Sequence, residues 1–249
     1  IAKDINEICP NAIWMQYVNP MCSNMIAINK SFPLLKSFGL CHSVQGTAEM
    51  IADDLEESID DIEYLCAGIN HMSFYQKITK ISTGEDLYPR LKKFGFDVIN
   101  DKKVSSRTNR MHLHEKVRYE ILNRFGYFVT ESSEHFAEYV PWFIKKGRED
   151  LIDKYKIPID EYINRCKFYE SEQDIDQKIK RSNEYASYIM DGFINNKPTV
   201  FYANVMNNGL IENLPMNCCV EIPCKIDSNG IIPQKIGKLP KHLSALMQT

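Results

Sequence analysis

The sequence predicts an α+β domain, a sheet of short strands covered by helices, on three observations. Apolar runs of strand length recur along the 249 residues, at 12–18, 34–40, 64–69, 199–204 and 219–224. Between some of them, apolar side chains repeat at helical spacing, over 47–57, 113–125 and 179–195. Turn signals such as Asn207-Asn208-Gly209 and Asn213-Leu214-Pro215 separate the C-terminal runs.

Each element has its own warrant. Residues 1–10 read as the tail of a helix that Pro10 ends. The run 12–18 stops at Asn19-Pro20 and reads as a buried parallel strand. Residues 21–31 read as a helix carrying Met21, Met25 and Ile26, and 34–40 as a strand that delivers Cys41. Ala48, Ile51, Ala52 and Leu55 mark one face of a helix over 47–57. A strand at 64–69 delivers Asn70 and His71, and a second strand continues from Phe74 to Ile81. The stretch 84–111 reads as loop and short helix. The helix 113–125 closes at Gly126, and His112 and His114 at its start do not share a face, so both read as surface residues. Residues 127–143 are polar and aromatic and read either as the wall of a site or as a packed loop before a helix. Residues 145–180, broken by Pro158, read as exposed helices, and 231–233 as the start of a terminal ribbon.

Composition excludes several classes. Thirty Lys and Arg against 33 Asp and Glu give a net charge of −3, with no basic stripe for nucleic acid and no acidic tail. No apolar run approaches membrane-spanning length. The start, Ile1-Ala2-Lys3-Asp4, has no basic region followed by an apolar one, so no signal peptide is expected. The eight cysteines follow no disulfide framework, which predicts reduced thiols and a cytoplasmic protein.

The chemistry concentrates in 39–75. Gly39-Leu40-Cys41-His42-Ser43-Val44-Gln45-Gly46-Thr47 sets a thiol beside an imidazole, and Ala67-Gly68-Ile69-Asn70-His71-Met72 adds a second imidazole beside an amide. Cysteine and histidine suit zinc, iron, manganese or cobalt in a site left open for substrate. Taken alone, a Cys-His dipeptide reads as a small buried hydrophobe next to a histidine. Ligands thirty residues apart have to meet in space, each carried at the end of a strand.

These two segments, together with Asn19-Pro20-Met21, Phe125-Gly126-Tyr127-Phe128-Val129-Thr130-Glu131-Ser132-Ser133-Glu134-His135 and Val220-Glu221-Ile222-Pro223-Cys224, closely resemble glycoside hydrolase family 4 and are most similar to its α-galactosidase branch. The resemblance implies a fold like the C-terminal half of lactate and malate dehydrogenases, with mixed and antiparallel strands covered by helices. It implies that residues 1–20 are a remnant of a dinucleotide-binding Rossmann domain and 21–249 the metal- and sugar-binding domain. The chain contains no GxGxxG, so it is expected to be trimmed at both ends, and the isolated fragment to be inactive.

The resemblance also implies roles. Cofactors are NAD and a divalent metal, Mn2+ or another. Cys41 and His71 match the metal ligands. Asn19 matches a position lining cofactor and sugar, and Asn70 one lining the sugar. His42 stands where some relatives carry an Asp that protonates the leaving group; a histidine can do that work near neutral pH, and its presence argues against a 6-phosphoglycoside. The base that takes a carbon-bound proton falls among Tyr127, Glu131, His135 and Tyr139, with Tyr127 first and His135 second. The implied reaction oxidises a sugar hydroxyl, removes the neighbouring proton, eliminates the glycosidic oxygen, adds water and returns the hydride, an exception to two-carboxylate hydrolysis. The substrate is an α-galactoside, with α-galacturonide or α-glucoside as alternatives; a galacturonide would call for an arginine among Arg107, Arg110 and Arg118. A homodimer or homotetramer is expected. The competing reading is a non-catalytic domain that binds metal and oligomerises.

Overall fold

The computed structural model describes residues 1–107, 114–159, 163, 166–167 and 184–249. Of the 145–180 reading, the part beyond Ile159 lies largely outside these residues, as do Arg110 and His112. The described chain builds α1 (Ala2–Ile8), β1 (Trp14–Gln16), α2 (Met21–Ser31), β2 (Ser37–Gly39), α3 (Ser43–Asp54), β3 (Ile62–Ile69) and β4 (Met72–Lys80). It continues with α4 (Tyr88–Ile99), α5 (Lys116–Phe125), α6 (Ser133–Tyr139), α7 (Asp150–Tyr155), α8 (Tyr185–Asn195), β5 (Thr199–Met206), β6 (Cys219–Asp227), β7 (Gly230–Pro233) and α9 (Lys241–Leu246).

These strands form one mixed sheet in the order β1-β2-β5-β6-β3-β4, with β7 added to β6. Only β1 and β2 run parallel, with Trp14 opposite Ser37 and Gln16 opposite Gly39. The other pairings are antiparallel. The α+β architecture read from the sequence is therefore the one the chain adopts, with the N-terminal strand at the sheet edge.

Helices cover the sheet where the apolar stripes are. Ile51, Leu91, Tyr119 and Tyr75 share one core between α3, α4, α5 and the β3–β4 hairpin. Phe38, Phe201, Ile222 and Ile189 form a second, against α8. Met21, Met25 and Cys219 pack α2 onto β6. Among the described residues no helix is long and apolar enough to cross a membrane.

The structure corrects the reading of 84–111. Residues 88–99 form α4, a regular helix that the sequence hides behind Pro89 and Gly95. Proline is at home in a first helical turn. Gly95 weakens helix propensity, yet a Cβ there would lie 2.5 Å from the Tyr119 ring, so the glycine lets α4 and α5 approach. A second correction concerns 145–159: Tyr155 and Ile157 are buried in the core around Phe143, so this stretch is anchored rather than a solvated face.

Gly68 is a point where the backbones of the sheet leave no room for a side chain. It pairs with Ser73 in β4 and with Glu221 in β6. A Cβ at this position would meet Met72 O and Ser73 Cα, both at 2.7 Å, and backbone cannot step aside as a flexible side chain can. Gly68→Ala is expected to destabilise the fold by about 1–3 kcal/mol. A urea titration would register this as a lower midpoint with an unchanged slope, and an unchanged midpoint would mean the strands have slack.

Candidate active site and metal centre

Three chain segments converge at one end of the sheet. β2 ends at Gly39, Leu40 N–H still donates to Gln16 O at 2.9 Å, and Cys41 is released just before α3 begins at Ser43. β3 and β4 are joined by a turn of Asn70 and His71 alone, and His71 there adopts φ of 65°. That left-handed conformation is costly for a residue with a Cβ and persists only where the surroundings enforce it. The third segment runs antiparallel beside β4: Tyr75 N–H donates to Phe128 O and Thr130 N–H to Ser73 O, each at 2.9 Å. The next residue, Glu131, is thereby brought to the turn, and its Oε2 lies 3.1 Å from His71 Nε2.

Cys41 Sγ, a His71 ring nitrogen and a Glu131 carboxylate oxygen all lie within 4.8 Å of one another. Glu131 was named in the sequence among possible bases. Nothing in its spacing marked it as a ligand, because what brings it in is strand pairing to β4 across about sixty residues. On the far side of the imidazole, His71 Nδ1 lies 3.2 Å from the Tyr139 hydroxyl. In the metal-free site Nε2–H donates to Glu131 and Nδ1 accepts from the Tyr139 hydroxyl; a metal at Nε2 would call for the other tautomer, with Nδ1–H donating to Tyr139.

Burial sets the protonation states. It pushes the Cys41 thiol up to about 11, with the Glu221 charge adding to the effect and a hydrogen bond from Ser43 opposing it. It pulls His71 below the ordinary imidazole value, against the opposing pull of Glu131. The metal-free site therefore holds a neutral thiol and a neutral imidazole beside a carboxylate at neutral pH. A soft sulfur, a borderline nitrogen and a hard oxygen in contact fit a divalent transition ion, which displaces a thiol proton on binding.

The segment carrying Glu131 is fastened from below. Arg118 is fully buried, and its Nη2 donates to Thr47 Oγ1 at 2.5 Å, Val129 O at 3.1 Å and Thr130 O at 3.2 Å. Its Nη1 stands 3.4 Å from the buried carboxylate of Glu115, and the guanidinium lies over the Phe128 ring. Arg118 is thus a structural clamp and does not face substrate, contrary to its place among the candidate carboxylate-binding arginines. Arg107 does reach the cavity, with its Nη1 3.4 Å from Glu115.

The cavity above the ligands holds about 460 Å³ and is lined by Asn19, Cys41, His42, His71, Glu131 and His135, among others. His135 stacks on His71 with centroids 5.6 Å apart and rings parallel within 1°. His42 stacks on Tyr17, and both make hydrogen bonds to the Glu184 carboxylate, a partnership that the sequence did not signal because Glu184 follows 142 residues later. Two assigned residues fall outside the lining. Tyr127, the first choice for base, packs edge-on to Tyr88 and beside His242 and does not line the cavity. Asn70 turns its amide inward to Glu221 at 3.3 Å, since the tight turn that exposes His71 aims its neighbour into the sheet.

The cavity with its Cys-His-Glu cluster thus opens at one end of the mixed sheet of an α+β domain. The family 4 glycosyl hydrolase model matches residues 1–57 and its C-terminal domain model residues 66–249, and the chain belongs to that family. It is 40% identical to an α-galactosidase of Bacillus subtilis, over 100% of this chain and 57% of that protein. An α-galactosidase of Rhizobium meliloti is 32% identical, over 92% of this chain and 48% of the relative. The chain thus spans about half the length of these curated relatives. Among solved structures, one described as the glucosidase lplD of Bacillus subtilis superposes with a TM-score of 0.83 at 24% identity, over 99% of this chain and 60% of that one. A 6-phospho-α-glucosidase solved with NAD and Mn2+ gives 0.69 at 18% identity, over 99% and 58%. A Plasmodium falciparum malate dehydrogenase gives 0.51 at 15% identity, over 99% and 63%, which bears out the dehydrogenase-like fold.

Two outcomes are expected from this geometry. Arg118→Met leaves the Glu115 carboxylate without its buried partner and should cost about 3–5 kcal/mol in a denaturant titration. His71→Gly should leave the thermal midpoint of the metal-free chain within a few degrees of the parent. The reason is that about 1–2 kcal/mol of left-handed backbone cost disappears as the imidazole contacts are lost.

Proposed function

We propose that the protein of which this chain is part hydrolyses α-galactosides, with NAD and a divalent metal such as Mn2+ as cofactors. The observation that carries the reading is the convergence of Cys41, His71 and Glu131 at the floor of one cavity. The two α-galactosidase relatives support the sugar, and the NAD- and Mn2+-bound structure of the related 6-phospho-α-glucosidase supports the cofactors. Charge in the cavity wall supports a neutral sugar. Among the described residues the arginine lining it, Arg107, lies 3.4 Å from Glu115, an arrangement that favours a neutral sugar over an acidic one.

Cys41, His71 and Glu131 would hold the ion, which when bound supplies Lewis acidity to adjacent sugar oxygens. NAD supplies the hydride acceptor. The chain has no glycine-rich phosphate loop, so its own share of a dinucleotide site is the cavity wall at Asn19. His42 is the proposed donor to the glycosidic oxygen. Its exposed ring is held by Tyr17 stacking and, through Nε2, by the Glu184 carboxylate. His135, facing the cavity beside His71, replaces Tyr127 as the proposed base for the carbon-bound proton.

The test uses the intact protein on α-galactoside, α-glucoside and α-galacturonide, each with and without NAD and Mn2+. Cleavage of the galactoside that requires both additions, and falls by at least about a hundredfold in Cys41→Ser, is the expected result. Cleavage that ignores NAD or survives loss of the thiol rejects the reading. A second outcome follows from the protonation states. With Cys41 near 11 and His71 already neutral at pH 7, binding one ion should release about one proton, drawn from the thiol. Affinity should therefore rise about tenfold per pH unit above neutrality until the thiol ionises by itself, and calorimetry in buffers of different ionisation enthalpy would count the proton.

A further inference from the structure

Glu221 is 1% exposed in the middle of β6 and has no place in the chemistry above. Three donors from three elements converge on its carboxylate. Asn70 Nδ2 donates to Oε1 at 3.3 Å, Asn204 Nδ2 donates to the same oxygen at 3.2 Å, and Ser73 Oγ donates to Oε2 at 2.7 Å. Asn70 and Ser73 flank the turn that presents His71. Asn204 lies in β5 opposite Glu221 and is also the residue opposite Gly39 in β2, two positions before Cys41. One oxygen is therefore the common acceptor of the turn bearing one ligand and of the strand that aligns the other.

We propose that Glu221 is a positioning residue that sets the separation of Cys41 and His71 for the metal, an inference that rests on the metal reading of this site. Burying a carboxylate is costly, and an apolar residue of similar size is often no less stable at such a position, so fold stability alone does not account for it. What an apolar residue cannot do is accept from Asn70, Ser73 and Asn204 at once. Without that acceptor, the Asn70 side chain has no reason to point inward, and the left-handed His71 beside it loses the tie that opposes relaxation.

The experiment measures Mn2+ affinity of the intact protein by loss of the free-ion paramagnetic resonance signal, with thermal melts run in parallel. Glu221→Ala should weaken binding by at least about tenfold, the usual cost of removing an outer partner of a metal ligand. Glu221→Gln should bind within about threefold of the parent. Its amide oxygen can take the two asparagine donors, and its NH2 can donate to Ser73 Oγ, which turns its own proton to Ile69 O. Parent-like affinity in a folded Glu221→Ala overturns the inference, as does a Glu221→Gln as weak as the alanine variant, because charge and not positioning would then be the cause. Should Glu221→Ala fail to fold, Asn70→Ala decides: it cuts only the arm to the turn, and parent-like affinity there overturns the inference. A parent protein that binds no Mn2+ overturns the metal reading itself, and the positioning role with it.

Discussion

The two-residue connection between β3 and β4 is the constraint from which the site follows. A hairpin with so short a loop sets Ile69 opposite Met72, and that register assigns the side chains to their faces as far as Cys66 opposite Tyr75, where a bulge shifts the pairing. The loop geometry requires a left-handed residue, and the chain places there a histidine where glycine or asparagine would be cheaper. The register also fixes which edge of β4 is open. Phe128 to Thr130 pair with that edge, so the carboxylate of Glu131 and the imidazole of His71 meet as a consequence of one hairpin and one added strand segment.

Rigidity around that turn comes from buried polar groups rather than from apolar packing alone. Arg118 holds Thr47 of α3 and two carbonyls of the segment before Glu131 with one guanidinium edge. Removing water from such a network makes each bond stronger and each missing partner more costly, so the arrangement tolerates few intermediate states. Asp54 extends the same principle outward: its carboxylate accepts from Ser105 Oγ at 2.8 Å and from the Tyr119 hydroxyl, tying α3 to α5. A metal site needs ligands on elements that do not drift, and these ties keep the ends of β2, β4 and α3 at fixed distances.

The sequence made most of the fold legible. The runs at 64–69 and 219–224 were legible as mainly apolar stretches of strand length, the second interrupted by Glu221. The helix at 88–99 escaped because the residue that permits its packing, Gly95, is one that propensity counts against a helix. For the site, Cys41 and His71 were visible through their motifs, and the structure brings them together. Glu131, Glu184 and Tyr17 were not visible as partners, since each acts through a contact made across 60 to 167 residues, which no local pattern encodes. Asn70 and Tyr127 lie outside the cavity lining, since adjacency to a motif does not encode which way a side chain turns.

Burial divides the labour among the three histidines of the cavity. The His71 side chain is 10% exposed, that of His135 45% and that of His42 60%. A metal ligand must be neutral and dry, and desolvation keeps His71 in that state at pH values where a surface histidine would begin to charge. A residue that gives up a proton in each cycle has to be recharged from water, which only a solvent-facing imidazole can achieve without a relay. His42 meets that condition while adjoining Cys41 in the chain, so the proposed ligand and the proposed donor are set one residue apart, the thiol the more shielded of the two. At the start of α3, Ser43 hydrogen-bonds to the thiol while His42 stands at the helix end. Glu184 then restrains from outside what the fold leaves free, so that an exposed ring still has one orientation toward the cavity.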